Sequence, residues 1–210
     1  MTDAPTVRPR PTRLPRKARK AQLLEVALRV FVEQGYHAAS MDEIAERAGV
    51  SKPVLYQHFP GKLDLYLALI QSACDTVIDG VRQALASTQD NRRRVHATME
   101  LWFDYVARHD APIRLVFESD LTSDPEVRDA LDRVTTESAS AIAEVIGEDT
   151  GLDAHAAHLL AVALVSMGQV SARHWLDSDS VVSKEDAARL LATLAWRGIG
   201  GFPKDDPTTT

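Results

Sequence analysis

The chain of 210 residues has a single cysteine, Cys74. An intramolecular disulfide is therefore excluded, and a reducing cytoplasm is the expected compartment. No apolar run is read as reaching the ~18 residues a bilayer span needs, so no membrane partner is expected. The basic N-terminus is not followed directly by an apolar segment of signal-peptide type. There is no GxSxG, P-loop or dinucleotide-binding glycine pattern, and hence no motif that calls for a cofactor. Strand alternation bounded by turns is missing, and so is any repeat of fixed period. Aromatic residues are few, at 6%, while 45% hydrophobic and 26% charged residues are ordinary globular values.

The net charge of −6 is unfavourable for a nucleic-acid binder, but its distribution is not. Residues 1–20 hold Arg8, Arg10, Arg13, Arg16, Lys17, Arg19 and Lys20 against Asp3 alone, a local charge of +6 that leaves −12 for the rest. A basic front on an acidic body suits a protein with one DNA-facing end. A solvated tail explains the same charges equally well. Pro5, Pro9, Pro11 and Pro15 keep this segment extended.

From Arg16 onward the pattern is helical. Leu24, Ala27, Leu28 and Phe31 form an apolar stripe, and Gly35 is placed to end that helix in a left-handed cap. Ser40 precedes Glu43 by three residues, a capping box, and Met41, Ile44, Ala45 and Ala48 supply a buried face. Gly49 breaks the chain. Ser51 can cap a second short helix with Pro53 in its first turn, and Pro60 and Gly61 end it. Further helices are expected over residues 62–86, 92–109, from Pro112, from Asp124–Pro125 to Ile146, over 153–176 and over 183–198. The expected fold is all-α with about nine helices.

Two short helices joined at a glycine make a helix-turn-helix over residues 40–59. The second helix must turn some residues inward and leave its start and outer side free for a major groove. Leu55 and Phe59 are the inward pair. Lys52, Pro53, Val54, Tyr56, Gln57 and His58 face outward. Lys52 and His58 can meet phosphate or base acceptors, Tyr56 can donate to phosphate, and Pro53 and Val54 offer apolar surface to thymine methyls. Ser40 and Ser51 sit where the two helix starts attract phosphate. The expected partner is duplex DNA.

The segment GYHAASMDEIAERAGVSKPVLYQHFPGKLDLY, residues 35–66, resembles the TetR family of bacterial regulators. Gly35, Tyr36, Ser40, Ile44, Ala45, Ala48, Gly49, Val50, Ser51, Leu55, Tyr56, His58, Phe59, Lys62 and Leu65 carry the match. The resemblance implies a three-helix DNA-binding domain joined by a fourth helix to a helical ligand-binding and dimerisation domain. It implies phosphate contacts at Ser40, Tyr56, His58 and Lys62, and base-facing positions at Lys52, Pro53 and Val54. Asp42 departs from members that place a basic reader there, and a capping role is expected for it. The same segment, with LVFESDLTSDPEVR further on, looks like actinobacterial TetR-type regulators of fatty-acid synthesis, which respond to long-chain acyl-coenzyme A. The chain then divides into a basic flexible arm (1–15), a DNA-binding domain (16–61), an effector-binding and dimerisation domain (62–203) and a tail (204–210).

In the second part, Trp102, Phe103, Tyr105 and Phe117, with Ile70, Cys74, Val77 and Met99, could line an apolar cavity for a lipophilic effector. Ordinary core packing is the simpler reading of each. Arg92, Arg93 and Arg94 could meet an anionic headgroup, although a solvated helix start is the usual meaning of such a run. Ala156, Ala157, Leu160, Ala161, Leu164, Val165, Gly168 and Ala172 recur on one side of the 153–176 helix, as do Ala187, Leu190, Leu191, Leu194 and Ala195 on the last. Such surfaces allow close helix approach, either inside the chain or in a homodimer. One helix-turn-helix reads only a half-site, which favours the homodimer.

An enzyme reading is weaker. His155 and His158 share a helix face, but no third ligand accompanies them, so no metal site is expected. Glu118, Asp120 and Asp124 read as caps and solvated charges. The alternative to a regulator is a helical enzyme or ligand-binding module whose helix-turn-helix is only structural.

Overall fold

The computed structural model describes residues 15–107, 121, 123–178 and 181–198. Among them are eight helices: α1 (Arg16–Ala38), α2 (Met41–Arg47), α3 (Lys52–His58), α4 (Lys62–Ala86), α5 (Asn91–Ala107), α6 (Pro125–Thr150), α7 (Ala154–Asp177) and α8 (Lys184–Arg197). No strand occurs among the described residues. The arm, the tail, the helix expected from Pro112, and Phe117, Glu118 and Asp120 lie outside them. The chain falls into two compact units that divide between Leu65 and Tyr66.

In the first unit α1 buries Leu23, Val26, Ala27, Val30 and Phe31. Leu24 and Leu28, expected at the centre of the stripe, are only half-buried. Seven of the nine residues from Leu23 to Phe31 are apolar, so their spacing leaves the inward direction open by about one residue. Met41, Ile44 and Ala45 of α2 and Leu55 and Phe59 at α3 complete this core. Gly35 breaks α1 at φ 77° and ψ 169°. Its φ is positive as expected, but its ψ lies far from the left-handed helical value, and the chain bends rather than capping there.

In the second unit α5 packs against α7 and α8, and α6 against α7. Ile70, Cys74, Val77 and Val81 of α4 and Met99, Trp102 and Phe103 of α5 are fully buried. Ion pairs tie distant elements: Lys184 Nζ lies 2.7 Å from Asp104, and Arg133 lies 2.9 Å from Asp75. Asp124, Asp153 and Ser183 accept backbone N–H bonds that start α6, α7 and α8. Helix α6 runs past its expected end and stops at Gly151, where φ is 71°.

The small-residue stripe of α7 is corrected in part. Ala157, Ala161, Val165, Gly168 and Ala172 are buried within the chain itself. Leu160 of that stripe stays open at 47%, and the open side also carries Leu159 and Val170, with exposures of 70% and 67%. The expectation that no stretch is apolar enough for a bilayer is corrected too, because α7 passes that test by length and composition. No Asp, Glu, Lys or Arg falls between Ala154 and Ala172. One side of it, with Ala157, Ala161, Val165, Gly168 and Ala172, is buried within the chain, and 22% of its apolar window is buried in all.

Candidate nucleic-acid interface

Helix α2 begins because Ser40 Oγ accepts a hydrogen bond from Glu43 N at 3.2 Å. The Glu43 carboxylate accepts from Gln34 Nε2 at 2.7 Å and pairs with Arg47 at 2.8 Å. Arg47 also pairs with Glu33 on α1 at 2.5 Å. The turn follows from Gly49 at φ 64°, with Val50 N donating to Ala45 O at 3.0 Å. Gln22 of α1 donates to Ala48 O at 3.2 Å and fixes the turn from behind.

Helix α3 is then anchored from one side only. Leu55 is 0% exposed and Phe59 3%, while Lys52, Pro53, Tyr56 and Gln57 are open and Val54 and His58 half-buried. Lys20 Nζ lies 5.6 Å from the centre of the Phe59 ring, which seats the end of α3 on α1. Ser51 occupies the N-cap position, but its hydroxyl makes no capping bond, contrary to its expected part. The α3 start is held instead by Ser51 O, which accepts from Val54 N at 2.9 Å. Ser40, Ser51, Lys52, Pro53 and Tyr56 thus form exposed polar and apolar surface around one short helix.

Two charged residues stand differently from their expected roles. Lys52 Nζ is 2.6 Å from Asp42 Oδ2, with both side chains about 60% open, so Asp42 is an ion-pair partner and not a cap. Lys62 is turned inward. Its ammonium donates to Tyr36 O at 2.8 Å, His37 O at 3.2 Å and Ala39 O at 2.9 Å, and lies 4.5 Å from the Tyr36 ring centre. Three donors meet three acceptors, which leaves the phosphate role expected of Lys62 without a free proton.

In the second unit, the expected lining residues separate. Ile70, Cys74 and Trp102 are core. Met99 reaches a cavity of about 210 Å³, with Leu85, Val95, Ile142, Ile146, Leu164 and Trp196 around it. Phe103 reaches an open groove with Trp175, Leu190 and Leu194. Arg94 is at the cavity edge, yet its guanidinium donates to Leu85 O, Thr88 O, Asn91, Gln89 and Asp149. The Nε proton is shared by two carbonyls and both Nη1 protons are taken, so one Nη2 proton alone is left for a headgroup. Among the described residues no group of three His, Cys, Asp or Glu side chains could hold a metal ion.

A one-sided recognition helix in a three-helix unit, in a chain whose second unit is all-helical, defines a helix-turn-helix transcriptional regulator. The family model for bacterial regulatory proteins of the tetR family matches residues 23–69. The chain is 47% identical to the HTH-type transcriptional activator FasR of Mycolicibacterium smegmatis, covering 92% of this chain and 89% of that protein. It therefore belongs to the TetR family. A TetR-like regulator from Rhodococcus sp. RHA1 superposes with a TM-score of 0.65 at 29% identity, over 90% of this chain and all of that one. The fold is also that of FadR from Bacillus subtilis in complex with stearoyl-CoA, with a TM-score of 0.69 at 19% identity over 85% and 98% of the two chains.

Proposed function

We propose that this TetR-type regulator reads a two-half-site operator as a homodimer and is switched by a lipophilic effector of the long-chain acyl-coenzyme A class. The carrying observation for DNA is α3, fixed inward by Leu55 and Phe59 with Lys52, Pro53, Val54, Tyr56 and His58 left on its other sides. Base reading falls to Lys52, Pro53 and Val54. Ser40, Ser51, Tyr56 and His58 serve phosphate. Lys62 acts from behind by fixing the end of α1. The role is binding and not catalysis, and its place is the cytoplasm.

The effector class is supported by the stearoyl-CoA held in a structure of the same fold. The cavity of about 210 Å³ is apolar but smaller than the ~300 Å³ of common ligand sites. A long acyl chain must displace side chains to enter. That is the physical requirement for a switch, because such a ligand binds one arrangement of the helices better than the other.

The test is a DNA-binding titration on the protein's own promoter region at several salt concentrations, with and without stearoyl-CoA. Specific binding that weakens steeply with salt and shifts with the thioester is expected. Absence of binding at low salt overturns the DNA reading. Thermal stabilisation by small polar metabolites alone overturns the lipophilic one.

A further inference from the structure

We infer that Asp42 and Lys52 act as one base-reading unit for a G·C pair, and that Asp42 keeps Lys52 from serving as a phosphate contact. This rests on the DNA-binding reading of the previous subsection. Asp42 belongs to α2 and Lys52 to α3, and the turn at Gly49 brings Lys52 Nζ within 2.6 Å of Asp42 Oδ2. Both side chains are about 60% open, so the pair lies on the surface and not in the core. As an exposed pair it adds little stability. Its chemical consequence concerns what approaches it.

A lysine alone attracts any phosphate, and each such contact releases a counterion whatever the sequence. A carboxylate at 2.6 Å cancels that charge and repels phosphate itself. The pair therefore gives no affinity to non-specific DNA. What remains is directional. The ammonium has three donors, of which Asp42 takes one, and the carboxylate keeps a second oxygen. In the major groove guanine offers two acceptors, O6 and N7, and its cytosine offers the N4 donor. Two remaining donors beside one remaining acceptor satisfy all three. An A·T pair also offers two acceptors and one donor, adenine N7, thymine O4 and adenine N6, but its donor lies between the acceptors, an order that two adjacent ammonium protons beside one carboxylate oxygen do not match.

The test compares the wild type with D42N, K52M and the double variant. Each is titrated on the wild-type operator, on operators with every base pair changed in turn, and on an unrelated duplex across salt. D42N is expected to bind the unrelated duplex more tightly, with a log–log salt slope steeper by about 1 as Lys52 turns to phosphate. D42N and K52M should both relax the same G·C position, by roughly 5- to 150-fold, and the double variant should relax it no further. D42E, which keeps the carboxylate, should retain the wild-type slope. An unchanged slope in D42N, relaxation at different positions, or relaxation at an A·T pair overturns the proposal. Wild-type protein without a specific operator would instead overturn the DNA reading on which it rests.

Discussion

Lys62 Nζ sits 4.5 Å from the centre of the Tyr36 ring while donating to the Tyr36 carbonyl at 2.8 Å. The break at Gly35 leaves carbonyls near the end of α1 in need of donors. A cation at a helix C-terminus also meets the negative end of its dipole. Lys62→Met should therefore destabilise the first unit by about 2 kcal/mol, the scale of a hydrogen bond to a charged group. Lys62→Arg should rescue only part, since a planar fork cannot reach the same three carbonyls. Chemical denaturation reads this directly. Unchanged stability with a salt slope of DNA binding shallower by about 1 would return Lys62 to the phosphate backbone.

Gly49 and Gly168 predict opposite kinds of failure. A side chain at Gly49 meets nothing within 4 Å, so Gly49→Ala is opposed only by the φ of 64°. The loss should be about 1–2 kcal/mol, and Gly49→Asn should lose less because asparagine tolerates that conformation. At Gly168 a Cβ would stand 2.3 Å from Trp102 Cδ1. Trp102 is fully buried, and its Nε1 has no hydrogen-bond partner among the described residues. Gly168→Ala should lose about 1–3 kcal/mol by overpacking. Thermal unfolding tests both, and a Trp102→Phe background should soften only the second.

Burial pushes the Cys74 thiol up to about 11, with the charge of Arg133 offsetting part of the shift. The folded chain therefore keeps this proton at a pH where the unfolded chain releases it. Stability from Cys74 is complete below the ordinary value of 9.0 and declines as pH rises towards 11. The wild type should lose more stability than Cys74→Ala between those limits, as denaturation curves at several pH values will show. Thiol reagents at neutral pH should label the native protein slowly and the unfolded chain readily. Rapid labelling of the native protein would contradict the buried placement.

The features legible in the sequence were those fixed by neighbours in the chain. Ser40, Asp124, Asp153 and Ser183 bond to backbone within three residues, so caps could be read from spacing alone. Gly49 could be read because a turn this short demands its conformation. Spacing is silent where the deciding partner is remote. Lys62 finds carbonyls 23 to 26 positions away, and Arg94 finds Asp149 at 55. Asp42 looked like a cap because its partner, ten residues on, belongs to another helix. The α7 stripe misled for a related reason. Apolar residues surround that helix, and only packing against α5, α6 and α8 decides which side is spent inside the chain.

That choice leaves an open apolar face on which the proposed homodimer would form. Leu159, Leu160 and Val170 on α7 and Leu190 on α8 are exposed by 70%, 47%, 67% and 47%. Large apolar side chains grouped on open helix faces mark an interaction surface. In a two-fold dimer the same face meets itself, and two helices from each copy complete a four-helix bundle. Val170→Glu should lie harmlessly on a monomer, because position 170 is 67% open and no core contact is lost. In a dimer it would set like charges into an apolar contact near the two-fold axis. Sedimentation should show the wild type as a dimer and Val170→Glu as a folded monomer with unchanged helicity. Operator affinity should drop by about a hundredfold or more, since each half-site must then be bound independently. A Val170→Glu protein that stays dimeric and keeps its operator affinity would place the subunit contact elsewhere.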